Sequence, residues 1–250
     1  MKKLLIVICP LLILGTTALA QGITQKIDSL VKGYVSIGHF NGTALVARND
    51  KVIFEQGYGY RDEQTKSLND TGTIFQIASV TKTFTSATVL KLVELKKISL
   101  SDKLSKWYPG FPNSDKITIE NLLSHTSGIF DYTRDTVSHL NTETNMMTFL
   151  AKKPLDFEPG TDWRYSNSGY SILGFIIRKI SGMTYEQAVR HYIFTPLHMN
   201  HSGFDFEHLQ DPEKARGYGM GDNGKGGKRL FRLVGRICSR SDLFYGRRSL

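Results

Sequence analysis

The spacing of hydrophobic residues predicts a helix, then a β-hairpin, then a series of helices. Residues 23–34 have the pattern of an amphipathic helix. Residues 43–48 and 52–58 have the composition of two strands, and the Asn-Asp pair at 49–50 between them is a hairpin signal. Residues 80–95 form a strongly apolar segment that is long enough for a helix of about four turns.

The second half of the chain carries clearer helix boundaries. Residues 119–125 predict a short helix, and apolar residues recur at helical spacing over 168–181, where Gly182 follows as a C-cap. Thr184 and Gln187 have the spacing of a capping box, which predicts another helix after them.

This order of elements predicts an α+β fold in which an antiparallel sheet is flanked by helices, with a helical lobe beside it. A two-stranded hairpin is rarely stable alone, so we expect further strands to complete the sheet.

The N-terminal twenty residues have the pattern of a signal peptide. Lys2 and Lys3 precede an apolar run over residues 4–14, and residues 18–20 read Ala-Leu-Ala, which fits the cleavage rule. We therefore expect a mature protein that begins near Gln21, has no stable membrane span and is periplasmic or secreted. An uncleaved N-terminal anchor is the alternative.

The net charge of +9 is concentrated at the two ends of the chain. Lys2 and Lys3 supply two charges and residues 221–250 a net six, so residues 21–220 carry only +1. A nearly neutral body gives no indication of nucleic acid as a partner. Only Cys238 remains after signal cleavage, which excludes an intramolecular disulfide, and no motif implies a metal or another cofactor.

Ser79-Val-Thr-Lys82 is the first candidate for chemistry. Positions i and i+3 share a helix face, so the Lys82 amine can reach the Ser79 hydroxyl. A serine needs a neighbouring base to become a good nucleophile, and a lysine in a dry pocket can supply one. Because Ser29 and Lys32 have the same spacing, the motif alone is weak. Ser79 differs in that it begins an apolar helix.

Tyr165-Ser-Asn167 is the second candidate, and it is the one Tyr-x-Asn triplet in the sequence. A phenol close to cations can act as a general base, and an asparagine amide can bind a substrate carbonyl and accept from Lys82. A helix-entry turn capped by Asn167 or Ser168 is the structural alternative.

Together these motifs resemble the serine β-lactamase and penicillin-binding-protein superfamily, in the branch that has Tyr-x-Asn. That branch includes class C β-lactamases, D-alanyl-D-alanine carboxypeptidases, D-aminopeptidases and related esterases. The resemblance covers roughly residues 25–220 and extends to four further segments. These are Gly42-Thr-Ala-Leu-Val-Ala-Arg, Gln56-Gly-Tyr-Gly-Tyr, Leu122-Leu-Ser-His-Thr-Ser-Gly-Ile and Glu158-Pro-Gly-Thr-Asp-Trp-Arg-Tyr-Ser-Asn.

The resemblance implies a β-lactamase/transpeptidase-like fold and a role for each candidate residue. Ser79 would be acylated by an amide or ester carbonyl, Lys82 and Tyr165 would handle its proton, and Asn167 would position the substrate. The substrate would be a small molecule or a peptidoglycan peptide. His125 lies in a segment that the family uses as a structural connection, so we interpret it as a packed or capping histidine.

The sequence departs from the family at its third motif, Lys-Thr-Gly or His-x-Gly on a strand beside the site. Residues 201–203 and 225–227 have similar letters, but their position and context indicate coincidence. We therefore expect a C-terminally incomplete family member with a signal peptide (1–20), a hydrolase domain (21–220) and a basic, atypical tail (221–250). Alternatively, the tail binds an anionic wall polymer or membrane.

Two functional classes follow from the sequence. The chain is an active serine hydrolase, or it is a catalytically impaired remnant that binds ligand or has no function. The motifs leave the substrate and the oligomeric state open.

Overall fold

The computed structural model describes the backbone of residues 9–135, 140, 142–217, 219–220, 226–227 and 244–245, and the side chains of residues 22–135, 140 and 142–217. The helices are α1 (Cys9–Ser36), α2 (Thr81–Glu94), α3 (Ile119–Leu123), α4 (Glu143–Ala151), α5 (Asn167–Ser181) and α6 (Tyr185–Val189). The strands are β1 (Gly42–Arg48), β2 (Lys51–Tyr58), β3 (Tyr60–Asp62), β4 (Ser67–Leu68), β5 (Phe75–Gln76), β6 (Ser202–Gly203), β7 (Gly219–Met220), β8 (Gly226–Gly227) and β9 (Phe244–Tyr245).

The chain divides into two compact units, one formed by Met1–Phe75 with Gln210–Phe231 and the other by Gln76–Leu209 with Arg232–Leu250. Among the described residues, none of the helices combines the length and the apolar character that crossing a bilayer requires.

The first unit is built around the predicted hairpin. β1 and β2 pair antiparallel from Gly42–Tyr58 to Arg48–Lys51, with an irregularity after Val46. Asn49 and Asp50 both have positive φ angles, 50° and 59°, as the tight turns that join twisted strands require. The predicted helix 23–34 lies within α1, which is tied to β2 where the Tyr58 hydroxyl donates to Asp28 Oδ1 at 2.8 Å.

A second connection in this unit joins chain segments that are far apart in sequence. Arg61 donates to Leu68 O and to Glu213, and Ile74 pairs in parallel with Lys214. In addition to β1–β2, β3 pairs antiparallel with β4, and β7 pairs antiparallel with β8. No strand was predicted at residues 226–227, where the structure has β8.

The second unit has a hydrophobic core centred on α5. Residues 168–177 of this helix are buried, and they pack with buried residues of α2, α3 and α4. The predicted boundaries of α5 are close to the observed ones, since the helix begins at Asn167 and ends before Gly182, which has a φ of 71°. The capping box of α6 forms as expected, with the Thr184 side chain accepting from Gln187 N.

The structure differs from the sequence prediction at three places in this unit. α2 begins at Thr81, and a 3₁₀ turn over Ala78–Val80 precedes it. α4 was not predicted, although the Thr142 side chain accepts from Asn145 N as an N-cap does. Ser202–Gly203 forms β6, which pairs antiparallel with β9, although no strand was predicted at these positions.

Candidate active site

Ser79 lies in the 3₁₀ turn just before α2, and its side chain is exposed. The preceding residue, Ala78, has a φ of 43°, a left-handed conformation that is uncommon for a residue with a Cβ atom. Such backbone geometry costs about 1–3 kcal/mol and is found where the surrounding structure holds a functional group in place. Ser79 is thus presented from a constrained turn.

Lys82 Nζ, Tyr165 Oη and Asn167 Oδ1 lie in one hydrogen-bonded cluster with Ser79 Oγ. Lys82 Nζ donates to Ser79 Oγ at 3.3 Å and to Asn167 Oδ1 at 2.9 Å. The Tyr165 hydroxyl donates to Ser79 Oγ at 2.8 Å. The structure therefore brings together all four residues that the sequence singled out, although Ser79 and Tyr165 are 86 positions apart.

The second Ser-x-x-Lys segment has a different environment. Ser29 lies on the exposed side of α1, and Lys32 Nζ forms an ion pair with Asp28 Oδ2 at 2.7 Å. This pairing fits an ordinary solvent-facing helix.

Two loops place Tyr165 and Asn167 beside Ser79. The backbone of residues 125–128 is hydrogen-bonded to the segment 156–164, for example from Gly160 N to Thr126 O at 2.8 Å and from Arg164 N to His125 O at 3.0 Å. The Ser166 side chain then caps α5 by accepting from Gly169 N at 3.1 Å. The observed cap is thus Ser166, one residue before the predicted candidates.

His125 supports this arrangement from behind Tyr165. Its Nδ1 accepts from Ser166 N at 3.0 Å, and its ring lies 4.6 Å from the Tyr165 ring and 5.0 Å from the Tyr170 ring, centroid to centroid. Because Nδ1 is already an acceptor for a backbone N–H, it is not available to take the Ser79 proton. The position fits the interpretation of His125 as a packed histidine.

The pKa of His125 is lowered, first by burial and second by the nearby Lys82 ammonium. Below its usual value of about 6.5, the unfolded chain therefore binds more protons than the folded one, so the free energy of unfolding falls as the pH drops. The contribution of His125 to the free energy of unfolding is fully present at pH values above its usual pKa. It is lost as the pH falls towards the lower pKa of the folded state. We expect His125→Asn to show a smaller loss of stability between about pH 7 and pH 5 than the wild type.

Denaturant unfolding at the two pH values measures this difference, and His201→Asn at an exposed position controls for the loss of an imidazole. An identical pH dependence in wild type and His125→Asn would contradict the assignment.

Asp131 is a site residue that the sequence analysis missed. It is 5% exposed, and its Oδ2 accepts from both Asn167 N at 2.8 Å and Asn167 Nδ2 at 3.0 Å. No local pattern indicates this contact, because the two residues are 36 positions apart. Among the described residues, no group of three or more His, Cys, Asp or Glu side chains is placed to hold a metal ion.

Residues 27–233 match the family model described as Beta-lactamase, and this match includes the whole cluster around Ser79. The chain belongs to the β-lactamase family. The Bacillus subtilis (strain 168) protein PbpX is 36% identical over 196 residues, which cover 78% of this chain and 48% of that protein.

Two solved structures of the family are similar to the chain. The octameric penicillin-binding protein homologue from Pyrococcus abyssi has a TM-score of 0.76 at 27% identity, covering 89% of this chain and 53% of that one. The D-amino acid amidase from Ochrobactrum anthropi SV3 has a TM-score of 0.65 at 26% identity, covering 82% and 61%. The fold is thus β-lactamase/transpeptidase-like and of the α+β class, as expected. The chain spans about half the length of PbpX.

Proposed function

We propose that this β-lactamase-family chain is a serine hydrolase that acts through an acyl-enzyme formed on Ser79. The observation that carries the proposal is the pair of hydrogen bonds that Ser79 Oγ accepts, one from the Tyr165 hydroxyl and one from Lys82 Nζ. A serine oxygen that contacts two proton-exchanging groups is arranged for nucleophilic attack, because each group can receive or return the proton.

In this mechanism Ser79 Oγ attacks the carbonyl carbon of an amide, β-lactam or ester, and its proton passes to whichever of Tyr165 and Lys82 reacts as the free base. The pair returns the proton to the leaving nitrogen or oxygen as the acyl bond breaks. Water then loses a proton to the same pair and attacks the acyl carbon, and Ser79 Oγ leaves and takes that proton back from the pair. In each attack, once the Tyr165 and Lys82 pair holds the proton it carries a positive charge, which stabilises the negative charge of the tetrahedral intermediate.

The proposed substrates are D-amino-acid peptides, β-lactams and small esters. Similarity to a penicillin-binding protein homologue and to a D-amino acid amidase supports an acyl group from a D-amino-acid compound. We also propose that the chain acts outside the cytoplasm, which the signal-like composition of residues 1–20 supports.

A catalytically impaired, ligand-binding chain is the second candidate. It is favoured by the absence of a well-placed Lys-Thr-Gly or His-x-Gly motif from these 250 residues. In the family that motif contributes part of the oxyanion hole, where one donor can be worth two to three orders of magnitude in rate.

A fluorescent penicillin and a fluorophosphonate probe separate the two candidates. We expect covalent labelling of the wild-type chain and none of Ser79→Ala, with Ser29→Ala as the matched control that labels like the wild type. Circular dichroism verifies that each protein is folded. A folded wild-type chain that takes up neither probe would overturn the hydrolase proposal and leave the impaired chain.

A further inference from the structure

The carboxylate of Asp131 is fully engaged by hydrogen-bond donors from two directions. Its Oδ1 accepts from Thr133 N at 2.9 Å and Thr133 Oγ1 at 2.7 Å. Its Oδ2 accepts from the backbone and the side-chain nitrogen of Asn167. A buried carboxylate needs such partners. The partners of Oδ2 both belong to Asn167, which also contacts Lys82.

This contact determines which way the Asn167 amide faces. A carboxylate oxygen can only accept, so Asn167 Nδ2 faces Asp131 and the amide oxygen faces the other side, where Lys82 Nζ donates to it at 2.9 Å. The opposite orientation would put the amide NH₂ against the lysine ammonium and the amide oxygen against the carboxylate. Both contacts would be repulsive.

We propose that Asp131 is a positioning residue that fixes the Asn167 amide, and through it holds Lys82 Nζ within reach of Ser79 Oγ. The inference rests on the proposed hydrolase function in so far as it predicts a rate. The structure shows no hydrogen bond between Asp131 and either Ser79 or Lys82. Its effect on the reaction passes through one side chain.

A purely structural role is the competing explanation. Asp131 also accepts from the backbone of Asn167, the first residue of α5, where a negative charge stabilises the helix N-terminus. Loss of that bond would lower the stability of the whole unit regardless of the Asn167 side chain. A double-mutant cycle distinguishes the two roles, because a residue that acts through Asn167 has little left to act on once that amide is removed.

The experiment compares acylation rates by a fluorescent penicillin for wild type, Asp131→Ala, Asn167→Ala and the double variant. We expect Asp131→Ala to slow acylation by about tenfold to hundredfold in the wild-type background, and by less than about threefold when Asn167 is already alanine. Equal losses in the two backgrounds would overturn the proposal. Asp102→Ala is the matched control, since this carboxylate pairs with Lys106 and accepts from Ser99 N in the same unit, outside the loops that carry Tyr165 and Asn167.

If Asp131→Ala does not fold, Asp131→Asn serves in the same cycle. It keeps the shape of the side chain, but its amide must direct an NH₂ group at one of the two pairs of donors. We expect the same non-additivity with Asn167→Ala and a smaller total loss.

A crystal structure of the Asp131 variant tests the positioning without any turnover. We expect the distance between Lys82 Nζ and Asn167 Oδ1 to exceed hydrogen-bonding range, whereas an unchanged 2.9 Å contact would overturn the inference. Because this measurement needs no reaction, it decides the inference even if the wild-type chain fails to react with either probe.

Discussion

Replacing Lys82 with methionine is expected to slow acylation of Ser79 by about three orders of magnitude. Methionine has nearly the same length but no amine, so Ser79 Oγ and Asn167 Oδ1 both lose the donor that now connects them. The rate of covalent labelling by a fluorescent penicillin, measured over time at several probe concentrations, gives the effect on acylation directly.

Lys91→Met is the matched control for Lys82→Met. Lys91 lies on the same helix, where it pairs with Glu94 at 2.9 Å, so its replacement removes an amine and an exposed ion pair without reaching the cluster. We expect the control to label at the wild-type rate. A Lys82→Met protein that melts normally and labels within tenfold of the wild type would remove Lys82 from the proposed mechanism.

Replacing Tyr165 with phenylalanine is expected to lower the acylation rate by about a hundredfold or more. The change deletes only the hydroxyl that donates to Ser79 Oγ at 2.8 Å and keeps the ring that packs on His125. The melting temperature should therefore stay close to that of the wild type. Stopped-flow acylation and thermal melting measure the two quantities on the same samples.

Tyr192→Phe controls for the loss of a phenol elsewhere in the same unit, where this half-buried ring packs on His191. Since Tyr165 and Lys82 both donate a hydrogen bond to Ser79 Oγ, the Tyr165→Phe and Lys82→Met losses should combine to much less than their product. Fully multiplicative losses would mean that the two groups act in separate steps.

The parts of this structure that could be predicted from sequence are those fixed by local spacing. The capping box at Thr184, the C-cap at Gly182 and the Asn-Asp turn at 49–50 each depend on residues within a few positions of each other. The same is true of the i, i+3 relation of Ser79 and Lys82. The convergence of Tyr165 on this pair came from family resemblance, since no local rule relates positions so far apart.

Three features could not be read from the pattern for physical reasons. α4 is only nine residues long, so its signal was limited to the Thr142 cap and to a short apolar stretch that contains the buried Met146 and Leu150. The left-handed conformation of Ala78 is imposed by tertiary structure, because alanine has no preference for it. The contact of Asp131 depends on how two distant loops dock.

Exposed positions and buried positions lie close together in the sequence at the start of α5. Residues 168–177 are buried and anchor Tyr165 and Asn167 from one side, whereas residues 160–164, which precede Tyr165, are exposed. Gly160, with a φ of 85°, and Arg164, which pairs with Asp156, are positions to keep. Randomised libraries confined to residues 161–163 would change exposed side chains close to Tyr165 while the anchoring helix stays intact. For the proposed hydrolase, selectivity among acyl donors is open to directed evolution at these three positions.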